Sequence, residues 1–118
     1  MENHLKNLAS EPFCYLTTTG RRSGRLHTVE IWFALNGTTL YLLSEGGEQA
    51  DWVKNARKTP QVSVRISGHI FPGHARDVSN SEEDALARRI VHTKYSSSED
   101  DPDDWTTTAL PIAIDLLV

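Results

Sequence analysis

The chain has little with which to build a stapled, metal-bound or membrane-spanning protein. Its single cysteine, Cys14, rules out a disulfide within the chain. Cys14 lies in the apolar run FCYL, where a buried structural thiol is expected rather than a nucleophile. No stretch approaches the roughly 18 apolar residues of a membrane span. The opening MENHLKNLASEPF lacks the apolar segment of a secretory signal. Five histidines are scattered without HExxH spacing, and there is no CxxC, so no metal site is expected. The acidic run EDDPDD, residues 99–104, lacks the glycine and closing glutamate of an EF-hand loop. Neither GxGxxG nor a P-loop occurs, and no Ser/His/Asp order is recognisable. Basic residues are in deficit, 12 Lys and Arg against 16 Asp and Glu. That argues against nucleic-acid binding, which needs a basic face to displace phosphate counterions. What is left is the composition of a globular cytosolic protein, 38% hydrophobic and 24% charged, of about one domain's length over residues 1–118.

The distribution of charge is more informative than its sum. Residues 17–29 hold three arginines and His27 with no acid, whereas residues 99–104 hold five acids. An anion would be attracted to the first segment and repelled from the second. At its centre, TTTGRRSG (17–24) brackets Arg21, Arg22 and Ser23 between glycines directly after a strand-like run. Glycines let backbone N–H groups converge into an anion-binding nest, and guanidinium groups offer planar paired donors to phosphate. A solvated hairpin loop, with basic residues keeping a sheet edge soluble, would read the same way.

Alternation of apolar and β-branched residues predicts strands at 13–19, 27–35 and 38–44, the second with Val29, Ile31 and Phe33 on one face. Asn36-Gly37 between them predicts a two-residue type I′ hairpin. Gly46-Gly47 breaks the third strand, and a helix over 48–58 follows, stopped by Thr59-Pro60. QVSVRIS is a half-buried strand turning at Gly68 into a further strand interrupted by Pro72-Gly73. Residues 79–95 carry serine and asparagine start signals, early acids and late bases, as a helix does. A polar loop over 96–104 leads to a last strand within 105–118. A short helix at 3–9 completes a mainly β (α+β) architecture of about six strands and two or three helices, packed as a small antiparallel barrel. Ser44, Gly46, Gly47, Trp52 and Asn55 form a second constellation, where a strand end and helix start could present amides and an apolar plane to a ligand. A core tryptophan above a simple turn is the competing reading.

Taken in order, TTTGRRSGR, the strand TVEIWF, the Asn36-Gly37 turn, LYLLSEGG, DWVKNARKTPQVSV, ARDV and LPIAIDL resemble the deazaflavin-dependent nitroreductase family, within the flavin-binding split β-barrel group. The resemblance covers residues from about 13 to 118. It implies a six-stranded antiparallel split β-barrel that binds coenzyme F420, a deazaflavin with a phosphate and an oligoglutamate tail. It also implies hydride transfer from the reduced cofactor to an electron-poor small molecule such as an enone, quinone or nitro compound. Carried over by residue, Arg21, Arg22, Ser23 and Gly24 hold the phosphate, and Ser44, Gly46 and Gly47 lie along the cofactor with Trp52 and Asn55. His92, Tyr95 and Trp105 line the substrate side, and Tyr95 or solvent supplies the product proton. The family commonly has proline where this chain has Glu30, and a non-acidic residue where it has Glu45. Acids there would repel an anionic tail unless turned away, which keeps FMN as an alternative cofactor and a non-catalytic flavin or apolar-ligand carrier as an alternative role. A homodimer around an exposed sheet face is the expected assembly.

Overall fold

The computed structural model describes residues 2–96 and 103–118, with side chains over 5–96 and 106–118. The chain runs through α1 (Glu2–Leu8), β1 (Cys14–Thr19), β2 (Leu26–Ile31), β3 (Ala34–Asn36) and β4 (Thr39–Ser44). A short 3-10 turn, Gly47–Gln49, precedes α2 (Asp51–Lys58), β5 (Gln61–Ile66), β6 (His69–Asp77), α3 (Ser81–Tyr95), α4 (Asp103–Thr108) and β7 (Leu110–Leu116). All strands join one antiparallel sheet in the order β2-β1-β5-β6-β7-β4-β3. The edge strands β2 and β3 are only two residues apart in sequence. Ile31 and Ala34 are therefore at most about 11 Å apart, three Cα steps. A seven-stranded sheet can meet that limit only by curling until its edges approach, which makes it the half-barrel of a split β-barrel.

The single long strand expected over 27–35 is thus two strands, and the count is seven rather than six. The break at Trp32–Phe33 is held from α3. The Tyr95 hydroxyl accepts from the Phe33 N–H at 3.1 Å and shares its own proton between the carbonyls of Pro12 (2.8 Å) and Phe33 (3.0 Å). Its ring stacks on Trp32, with centroids 4.2 Å apart and planes 12° off parallel. Lys94 Nζ donates to the same Phe33 carbonyl at 2.9 Å and lies 3.5 Å above the Phe33 ring. Backbone groups that leave a ladder at a buried corner need such partners, because an unpaired buried amide is costly.

The barrel interior is filled by Leu16, Phe33, Leu40, Leu42, Val53, Val64, Ile66, Ile112 and Ile114. β4 and β7 are also covered on their other face, where Tyr41 and Ala113 pack on Ala87 of α3, and Leu43 packs with Val91 and Tyr95. Burial on both faces explains why LYLL and PIAI are continuous apolar runs rather than alternating ones. Cys14 is fully buried, and burial pushes its thiol up to about 12, in keeping with a structural role.

Three local expectations shift. The β3–β4 loop is Gly37–Thr38, because Asn36 pairs with Thr39, and only Gly37 has positive φ, +63°. Glycine at the first central position is the type II′ pattern; type I′ needs positive φ at both, which Ser67 (49°) and Gly68 (84°) supply in the β5–β6 turn. Pro72 does not interrupt β6. Its carbonyl accepts from Leu117 N, so its missing N–H faces the side where β7 has already ended at Leu116. Residues 103–108, expected as loop and strand, are helical: Arg88 Nη1 donates to the Thr106 carbonyl at 2.9 Å, fastening α4 to α3 and overriding the β preference of the threonines. The rest of the polar loop, 97–102, lies outside the described residues.

α3 starts at Asn80, whose side chain accepts from the N–H groups of Glu82 and Glu83. It docks through Arg76, which reaches both Glu83 oxygens at 2.7 Å and Asp115 Oδ2 at 2.7 Å, while Tyr41 donates its hydroxyl to Glu83. Hydrogen bonds from Arg76, then from Tyr41, hold the Glu83 carboxyl down at about 2. Its contribution to stability is complete above its ordinary value of 4.5 and is lost as pH falls toward 2. Thermal unfolding followed from pH 5 down to about pH 2 should show a Tm that falls in the native protein. In Glu83→Gln it should start lower and fall less steeply. At the corner, Tyr95→Phe leaves the Phe33 N–H without an acceptor and should cost about 1–3 kcal/mol in urea unfolding.

Candidate cofactor site

β1 ends against α2, and the arginine loop is folded between them. Gly20 N donates to the Arg25 carbonyl at 2.7 Å and Gly24 N to the Gly20 carbonyl at 2.9 Å, closing the loop on itself. Gly24 takes a positive φ of 75°. At Gly20 the approach is close: a Cβ there would lie 2.8 Å from His27 Nε2 and 2.9 Å from Ser23 Oγ, so those side chains would have to shift to admit one. The Ser23 hydroxyl accepts from Arg25 N at 3.1 Å.

α2 buries Val53 and Ala56 in the barrel and turns Asn55 toward β1. Asn55, only 4% exposed, accepts from the Arg21 backbone N–H (3.1 Å) and from Arg21 Nη1 (2.9 Å), and donates to the buried Thr18 hydroxyl (3.3 Å). Arg21 Nη2 pairs with Asp51 at 3.2 Å, and Lys58 Nζ donates to the Arg21 carbonyl at 3.0 Å. The Arg22 and Ser23 N–H groups and the Arg22 guanidinium have no acceptor among the described residues.

These groups line a cleft of about 440 Å³. One wall is the loop, Gly20 to Ser23; another is the end of the β1–β2 pair, with Thr18, His27, Thr28 and Val29; the third is α2, with Asp51, Trp52 and Asn55. Arg22, Ser23 and His27 among its lining residues suit a phosphate, and Trp52 with Val29 supplies apolar surface in the same cleft. Among the sequence-derived candidates, Arg21, Arg22, Ser23, Trp52 and Asn55 come together here. Gly24 shapes the loop from outside the cleft lining.

Others are placed elsewhere. The Ser44 hydroxyl is buried and donates to the Gly47 carbonyl at 3.0 Å, so Ser44, Gly46 and Gly47 build the turn into α2 and do not line the cleft. Tyr95 is buried in the corner with its hydroxyl fully engaged, and burial pushes it up to about 12. It does not line the cleft. His92 lines a separate shallow cavity with Arg88, Arg89, Thr106 and Thr107. The side chain of Trp105 lies outside the described residues. Glu30 lies outside the cleft lining, where the Tyr15 hydroxyl donates to it at 3.2 Å, and Glu45 is exposed outside the cleft. Thr18, His27 and Asp51 were not singled out as site residues by sequence. The pairing of Thr18 with His27 across β1–β2 is the feature that brings the first two to the mouth.

The sequence model of the F420H(2)-dependent quinone reductase family matches residues 3–116. Among solved structures, an F420-H2 dependent reductase (FDR-A) superposes with a TM-score of 0.71 at 21% identity, over 90% of this chain and 94% of that one. An F420 reductase superposes with a TM-score of 0.71 at 16% identity, over 96% and 93%. A FAD-binding protein from Mesorhizobium loti gives 0.74 at 18% identity, over 98% and 87%. At these identities the structures establish the shared split-barrel fold, and the match along nearly the whole sequence establishes the family. The chain belongs to the F420H(2)-dependent quinone reductase family and is an F420-dependent reductase.

Proposed function

We propose that this reductase passes hydride from F420 to an electron-poor small molecule of the quinone, enone or nitro class, with the cofactor's phosphate held at the arginine loop. The observation that carries this reading is a cleft lined by Arg22 and Ser23, whose N–H groups and guanidinium meet no acceptor among the described residues, together with Trp52 and Val29. The reduced deazaflavin, when bound, supplies the hydride. The chain's own residues do the rest. Arg22 and the loop amides anchor the anionic end, and Trp52 and Val29 exclude water beside it. With Tyr95 committed to the Phe33 corner, the product proton comes from solvent. Glu30 and Glu45 would favour FMN if either faced the cleft. Neither lines it, so an oligoglutamate tail meets no carboxylate from those positions.

Calorimetric titration with oxidised F420 and with FMN tests the reading. F420 should bind more tightly, and its affinity should fall as salt rises. Arg22→Ala should weaken binding about 10- to 100-fold, the equivalent of one charged hydrogen-bond anchor. Reduced F420 should then be oxidised when a quinone such as menadione is added, followed by the return of deazaflavin absorbance. Equal affinity for FMN would overturn the cofactor assignment, and binding without turnover on any acceptor class would make the protein a carrier.

A further inference from the structure

Arg21 and Arg22 are neighbours in sequence, and the fold gives them opposite surroundings. Arg21 is committed to α2 on every side. Its N–H and Nη1 both go to Asn55, its Nη2 goes to Asp51, and its carbonyl receives Lys58. Arg22, one residue on, is exposed and engages nothing among the described residues. A guanidinium turned into the wall of a cleft and hydrogen-bonded there is poorly placed to wrap a phosphate. It is well placed to stop the loop from moving.

We propose that Asn55 is a positioning residue for cofactor binding: through Arg21 it fixes the loop to α2, so that the Arg22 and Ser23 N–H groups stand open before the phosphate arrives. Arg21 is then the grip by which the loop is held, and Arg22 is the contact. The choice of an amide follows from the chemistry. Asn55 Oδ1 takes two donors from Arg21 while Nδ2 gives one to Thr18, and both ends of the side chain are used. A carboxylate would accept from Arg21 and from the Thr18 hydroxyl as well, but it would set a further negative charge beside the anion site. A neutral amide holds the loop without adding to the negative charge that Asp51 already brings beside Arg21. Pre-organised donors appear as affinity because the loop has no ordering left to do on binding.

This inference rests on the F420 reading for the identity of the anion, but the clamp itself does not, and two measurements keep them apart. The first is amide hydrogen exchange in the cofactor-free protein. Asn55→Ala should speed exchange at Arg21 and its loop neighbours Gly20 and Gly24 by about ten-fold or more, with the β5–β6 amides unchanged. Thr18→Val, a milder change that keeps the packing volume, should give a smaller effect of the same pattern and serves if Asn55→Ala does not fold. The second is F420 affinity across a salt series. Asn55→Ala should weaken binding about ten-fold with no change in the salt slope, since no charge is removed. Arg22→Ala should flatten the slope and leave exchange as it was. Arg21→Ala combined with Asn55→Ala should lose less than the sum of the two single changes, since they share the Nη1 bond while the Arg21 N–H still donates to Asn55 in Arg21→Ala. If Asn55→Ala leaves loop exchange unchanged, or Arg21→Ala flattens the salt slope as fully as Arg22→Ala, the proposal is overturned. If native protein does not bind F420 yet Asn55→Ala loosens the loop, the cofactor reading fails by itself. The same salt series run with FMN, which presents the same phosphate, then decides whether Asn55 positions the anion site.

Discussion

The fold turns on a corner two residues long. Trp32 and Phe33 carry the chain from one edge of the sheet to the other, and the sheet has to curl for them to reach. A corner of this kind strips backbone groups from the ladder in a buried place, where they need partners from elsewhere. Tyr95 and Lys94, at the end of α3, supply them, and the Trp32 ring lies flat against Tyr95 to seal the contact. Burial pushes Lys94 down to about 8 and Tyr95 up to about 12, the direction expected when charged forms are excluded from an apolar place. With the corner fixed, β2 is held as a free edge beside β1, and the end of that pair becomes a wall of the cleft.

Two arginines show how the same side chain is put to different use by what it meets. Arg76 sits between the carboxylates of Glu83 and Asp115, so its charge is more than balanced and the group works as mortar between α3 and the sheet. Arg21 meets a neutral amide at its best-buried contact, and its one carboxylate partner, Asp51, is largely in water, where an ion pair is weak. An acidic protein thereby keeps a locally positive loop. The position of the charge matters more for ligand binding than the net value of -4.

Much of this was legible beforehand because it depends on local chemistry. The alternation of Val62, Val64 and Ile66 gives a strand with one buried face, and those three residues are buried. The Asn80 start signal caps α3 as its chemistry demands. The loop Gly20–Gly24 forms where glycines and arginines are gathered. Errors came where distant contacts outweighed local preference. The run HTVEIWFAL has strand character throughout, and nothing within it says that Tyr95, some sixty residues on, will break it at Phe33. WTTT favours a strand by propensity, and α3 packs it as a helix. Tyr95, His92 and Ser44 have the right chemistry for a site, yet where a side chain points depends on which face of its element is buried.

The sequence by itself determined most of the elements, the charged loop and the family, because each is written in residue type and spacing along a few neighbouring positions. Only the tertiary structure decided what those residues do. It made the difference between Arg21 and Arg22, which are identical in sequence terms, by bringing Asn55 against one and, among the described residues, no partner against the other. It set Glu30 against the Tyr15 hydroxyl, outside the cleft lining, and buried the Tyr95 hydroxyl among backbone groups. Hydrogen-bond partners thirty or sixty residues away are set by the closure of the sheet, and a closed sheet is a property of the whole chain.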